Sequence, residues 1–152
     1  MTASIWVIFK NSSKIDTGHV RLVSLTGIIH GQILQSRILL DEVVLNEDYK
    51  HLSQLKHLID SVHNNMMELK KEINANYEKD AGVEVDSFNI RFDTVVRDLE
   101  QIRDYLTLDK LHGVKSNHFL FHRFNAFRLN YKQIQIMLPA YMLADIFRYR
   151  RE

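Results

Sequence analysis

The sequence predicts an all-α fold, an antiparallel up-and-down bundle of about four long helices, and three observations carry the prediction. Apolar residues recur at alternating steps of three and four over most of the chain, the period of one helix face. Glycine totals 5 and proline 1 in 152 residues, far fewer than the turns of a many-stranded protein require. A chain of this length buries its apolar surface more readily in one core than in two, so residues 1–152 are read as a single helical-bundle domain.

The N-terminal quarter admits two readings. As a helix, Thr17–Val44 turns Leu22, Ile29, Ile33, Leu40 and Val43 inward. As strands, Ile5–Phe9 and His19–Leu25 would flank a turn at Asn11–Gly18, because β-branched and aromatic residues suit a pleated surface, and Ile5–Phe9 is then a short extended arm. The helical reading is favoured. It puts Gly27 and Gly31 on one face, where they would let a neighbouring helix approach closely.

Leu52, Leu55, Ile59, Val62, Met66, Leu69 and Ile73 follow without a miss, a heptad seam on a second helix. Asn46 before Glu47 and Asp48 supplies a capping side chain and an acidic first turn, so this helix is expected to run from there to about Tyr77, with a break at Gly82. The third seam is Phe88, Phe92, Val95, Leu99, Ile102 and Leu106, capped by Asp86 or Ser87 and ended by Gly113. The last is Leu120, Phe124, Phe127, Tyr131, Ile134, Leu138 and Tyr141, capped by Ser116 or Asn117 and kinked at Pro139, which has no backbone N–H to donate. Short connections between long helices favour antiparallel neighbours.

Composition removes several function classes. With no cysteine there is no disulfide framework, thiolate nucleophile or Cys-ligated metal. Ser4–Phe9 is too short for a secretory core and Ile134–Phe147 too short to span a bilayer, so a cytoplasmic protein without membrane contact is expected. Neither GxGxxG, GxxxxGK[ST] nor G-x-S-x-G occurs. Asp48/His51, Asp60/His63 and Asp109/His112 have a spacing that can hold metals in bundles, but in the second helix these groups miss the core positions. His118 and His122 lie one turn apart with no Glu between them in the HExxH manner. No metal, cofactor or catalytic residue is assigned.

Two surfaces remain. His118, His122, Arg123, Arg128 and Lys132, interleaved with Phe119, Phe121 and Phe124 and followed by Arg148, Arg150 and Arg151, suit single-stranded RNA or DNA, since cations neutralise phosphates and aromatic rings stack on bases. Arg and His together also suit metal-independent ribonuclease chemistry. Helical ribonucleases of the HEPN type, however, place the Arg ahead of the His by about a turn, and here His122 precedes Arg123. The second surface is apolar. Leu129, Ile136 and Leu143 repeat every seven residues opposite the core seam, where a solvated helix is polar, and Ile146 and Phe147 extend them. A homo-oligomer burying this face is the preferred expectation, making the chain a non-enzymatic interaction protein; nucleic-acid binding is the alternative. A third expectation is a small-molecule pocket between splayed helices. Charge is segregated: residues 41–109 carry 16 acidic and 8 basic side chains, although the whole chain is only +1. Acidic and basic regions of different copies would steer association.

Overall fold

A computed structural model describes the backbone of residues 2–77, 82–111 and 114–151, and the side chains of 20–75, 86–107, 110–111 and 117–138. The elements are α1 (Thr2–Val44), a 3-10 turn (Tyr49–His51), α2 (Leu52–Tyr77), α3 (Gly82–Tyr105), the single turn α4 (Leu108–Leu111) and α5 (Val114–Arg151). No strand forms among the described residues. The extended-arm reading of Ile5–Phe9 and the pairing with His19–Leu25 give way to one helix through both. A helical period gathers Leu22, Ile29, Ile33, Leu40 and Val43 into one stripe, all buried, whereas alternation along a strand would divide them between two faces.

The helices are arranged as a ring in which α1 packs on α2, α2 on α3 and α3 on α5. The α1/α5 pair closes the ring, with the least extensive packing of these four seams among the described residues. Cross-links show that every neighbour is antiparallel. Arg21 meets Glu68 and Glu72 while Gln32 meets Ser61 and Asn65, so α2 descends as α1 rises. Lys70–Asp93, His63–Glu100 and Arg103–Asp60 order α3 against α2 in the same way. Arg37–Asn125 and Tyr131–Thr26 do so for α1 and α5.

Every predicted seam residue from Leu52 to Ile73, from Phe88 to Leu106 and from Leu120 to Leu138 is buried, and Tyr141 lies outside the described side chains. The core is aromatic at its α3 and α5 layers, where Phe88 stacks on Phe92 at 5.7 Å and Phe124 meets Phe127 edge-on at 5.8 Å. Among these apolar layers runs a polar ladder. Gln32 Nε2 donates to Ser61 Oγ at 2.8 Å and Asn65 Nδ2 donates to Gln32 Oε1 at 2.9 Å, so both halves of the Gln32 amide are satisfied.

The helix ends depart from expectation. Asn46 does not cap α2. Leu45 Nα–H and Asn46 Nα–H return to the Asp41 carbonyl, Glu47 takes a left-handed φ of 52°, and Asp48 precedes a 3-10 turn with no side-chain capping bond. Reversing the chain uses the residues that a cap would have needed, and a non-glycine side chain in that region costs about 1–2 kcal/mol. Gly82 opens α3 rather than breaking the chain before it, leaving Asp86 and Ser87 inside the helix. Likewise α5 starts at Val114, so Ser116 and Asn117 sit in its first turn, and the backbone is helical on both sides of Pro139. Gly113 lies outside the described residues.

Candidate functional site: the outer face of the first and last helices

The expected basic cluster is divided by the fold. Arg123 turns into the α3/α5 seam, where its Nη1 lies 3.3 Å from Asp98 Oδ1 and its guanidinium stacks over Phe119 at 5.2 Å. Asn130 Nδ2 donates to the other Asp98 oxygen at 3.0 Å. Asp98 is 4% exposed, and a carboxylate so buried requires both partners. Arg123 is therefore committed to the fold. The aromatics are committed too: Phe124 is buried, Phe119 packs on Tyr105 at 4.3 Å, and Phe121 carries the Arg37 guanidinium at 5.3 Å.

His118, His122, Arg128 and Lys132 are exposed, and Arg128 and Lys132 have no carboxylate within ion-pair distance among the described residues. The side chains of Arg148, Arg150 and Arg151, and of Leu143, Ile146 and Phe147, lie outside those described. Leu129 and Ile136 face solvent as expected, 58% and 60% exposed.

What sequence reading missed is the matching face of α1. Val20, Ser24, Gly27, Gly31, Leu34 and Ile38 alternate steps of four and three on the side away from the core, a second seam on the same helix. The large members are exposed: Val20 66%, Leu34 52%, Ile38 60%. Gly27 and Gly31 were expected to let a neighbouring helix approach closely; a Cβ added to either meets nothing within 4 Å. The signal was the heptad spacing of this second set, obscured because the first set, facing α2, had already accounted for the helix.

Between these two faces lies a groove of about 400 Å³. Its floor is Ile33 and the ring of Tyr131, both buried, and its rim is Leu34 and Leu129. Arg128 and Lys132 supply its polar wall from α5, with His30 across from them on α1. Tyr131 is itself spent: its hydroxyl donates to the Thr26 carbonyl at 3.1 Å, and burial pushes its pKa above the ordinary tyrosine value. No carboxylate lines the groove. The reason is visible in the chain, since residues 17–40 and 110–144 contain neither Asp nor Glu.

Among the described residues no group of three or more His, Asp or Glu gathers as a metal site, and no helix is long and apolar enough to cross a membrane. Compared with family models, with curated proteins and with solved structures, the chain finds no match in any of the three.

Proposed function

We propose that this chain is a non-enzymatic interaction module whose working surface is the outer face of α1 and α5, and that its first partner is a second copy of itself. One observation carries the reading. Of the ten large apolar side chains exposed among the described residues, eight belong to α1, the turn after it and α5 (Val20, Val23, Ile28, Leu34, Ile38, Leu45, Leu129 and Ile136), while α2 and α3 contribute one each. Exposed large apolar side chains gathered on two neighbouring helices in this way point to an interaction surface.

A second copy is favoured by shape and by size. An outward heptad seam is complementary to another helix of the same period, and α1 carries that period from Val20 to Ile38, about 27 Å of helix. Two helices side by side over that length present on the order of 600 Å² in projection, approaching the roughly 800 Å² each partner contributes to a standard interface. A twofold axis along this face would pair it with itself.

Light scattering or sedimentation at two salt concentrations tests the proposal. The expected result is a dimer that is insensitive to salt and whose dissociation constant rises at least tenfold in the double variant Ile38→Gln/Ile136→Gln, both residues being exposed and uncharged in either form. A chain that stays monomeric at tens of micromolar overturns it. If that monomer gains mass with a mixed single-stranded oligonucleotide only at low salt, the nucleic-acid reading replaces it, because phosphate contacts weaken as counterions are restored.

A further inference from the structure

We propose that the groove between α1 and α5 is a binding site for a small amphiphilic anion, a carboxylate or phosphate head on an apolar body. Three independent features meet there. Its floor and rim, Ile33, Tyr131, Leu34 and Leu129, are apolar side chains from both helices, and they enclose about 400 Å³, within the range of small-molecule pockets. Its two permanent cations lie on one side: Arg128 and Lys132 are one helical turn apart on α5, with His30 opposite on α1. Neither cation has a carboxylate within ion-pair distance among the described residues. On the other seams Arg21 has Glu68 and Glu72, Lys70 has Asp93 and Arg103 has Asp60.

The Tyr131 hydroxyl is occupied by Thr26, so the floor offers the body of a ligand only ring and aliphatic surface. Recognition is thereby divided. The apolar body excludes water along Ile33, Leu34 and Leu129, and the head is neutralised by Arg128 in fork geometry or by Lys132 as a point charge. Neither half suffices alone, because exposed ion pairs are weak and a half-open apolar groove gives no orientation. This site shares Leu34 and Leu129 with the proposed self-association surface, but neither Ile38 nor Ile136 lines it.

The test is a titration followed by amide chemical shifts in the whole chain, using octanoate as ligand and 1-octanol, acetate and inorganic phosphate as comparisons. Octanoate is expected to saturate, with shifts confined to residues 27–34 and 128–135, and to bind at least tenfold more tightly than any of the other three. The double variant Arg128→Ala/Lys132→Ala should lose at least tenfold of that affinity while keeping the wild-type melting temperature, both side chains being exposed. Equal binding of 1-octanol reduces the site to an apolar crevice, and equal binding of acetate or phosphate reduces it to a surface cation pair. Either outcome overturns the proposal, as does an unaffected double variant. Repeating the titration on Ile38→Gln/Ile136→Gln separates it from the dimer: binding that persists there supports the groove whatever the oligomeric state.

Discussion

The α2/α3 seam and the α1/α5 seam are both formed by antiparallel amphipathic helices around one core, yet they meet water in opposite ways. Across α2/α3 the surface is bridged by Lys70–Asp93 at 3.1 Å, Arg103–Asp60 at 3.4 Å and His63–Glu100 at 3.6 Å. Across α1/α5 the surface is Leu34, Leu129 and a groove, with Arg37–Asn125 and Tyr131–Thr26 as the polar links. The inner faces do not explain this difference, because both seams bury apolar residues completely. It lies in the outer faces, where α2 and α3 spend their polar residues on solvent and α1 and α5 repeat an apolar heptad. A helix with one apolar stripe is finished when it joins a bundle; a helix with two has surface left to cover.

The contrast can be challenged at its inner face first, where the largest effect is expected. Phe92, fully buried on α3, should lose about 3–5 kcal/mol of stability on replacement by Ala, because the cavity left behind cannot collapse. Leu129→Ala, 58% exposed, should stay within about 0.5 kcal/mol. Denaturant unfolding at low protein concentration measures both, and a large loss at Leu129 would mean that the α5 outer face already packs against something within the monomer.

A smaller effect sharpens the account of the outer face. Gly27→Ala/Gly31→Ala should raise monomer stability by about 1 kcal/mol per site, since alanine is the better helix former and nothing stands within 4 Å of the added carbon. If a second copy crosses α1 at these glycines, the same pair weakens the dimer, so the melting temperature rises while self-association falls. A rise in both would place the crossing elsewhere on the seam.

The smallest change tests the closure of the ring. Tyr131→Phe removes the bond to Thr26 and should cost about 1 kcal/mol at neutral pH. Its pH dependence has a definite sign. Burial raises the folded-state pKa of this hydroxyl, so below about pH 10 both states keep the proton and the term is constant. Above that, the unfolded chain releases its proton first, and the wild type should lose stability faster than Tyr131→Phe, by up to about 1.4 kcal/mol per pH unit. Unfolding curves that remain parallel into alkaline solution would show that water reaches Tyr131 and that the α1/α5 seam is looser than its burial implies.

How much of this was legible follows the physics of each feature. The α2, α3 and α5 cores were readable residue by residue because burial enforces an apolar side chain at every turn, and one set of positions dominates each pattern. Helix ends were not: Asn46 has good capping chemistry, but the left-handed Glu47 and the bonds back to Asp41 take that segment for the reversal. Of the candidate site, the apolar α5 positions Leu129 and Ile136 were readable for the same reason as the cores. The fate of Arg123 was not, because its partner Asp98 lies 25 residues away, on another helix. The groove belongs to the same class, since Leu34 and Leu129 share an edge only once the bundle is closed.

The polar ladder between α1 and α2 has a consequence for alignment. Apolar heptads mesh equally well after a slide of seven residues, about 10 Å along the axis, so burial alone leaves a 43-residue helix several nearly equivalent settings. At one such setting Gln32 would face Gln54 and Leu58, at the other Glu68 and Glu72. The first exchanges the Ser61 and Asn65 partners for one exposed glutamine and an apolar leucine, and the second takes Glu68 and Glu72 away from Arg21. Three uncharged side chains thus act as a key that admits one register, much as a lone asparagine does inside a coiled coil.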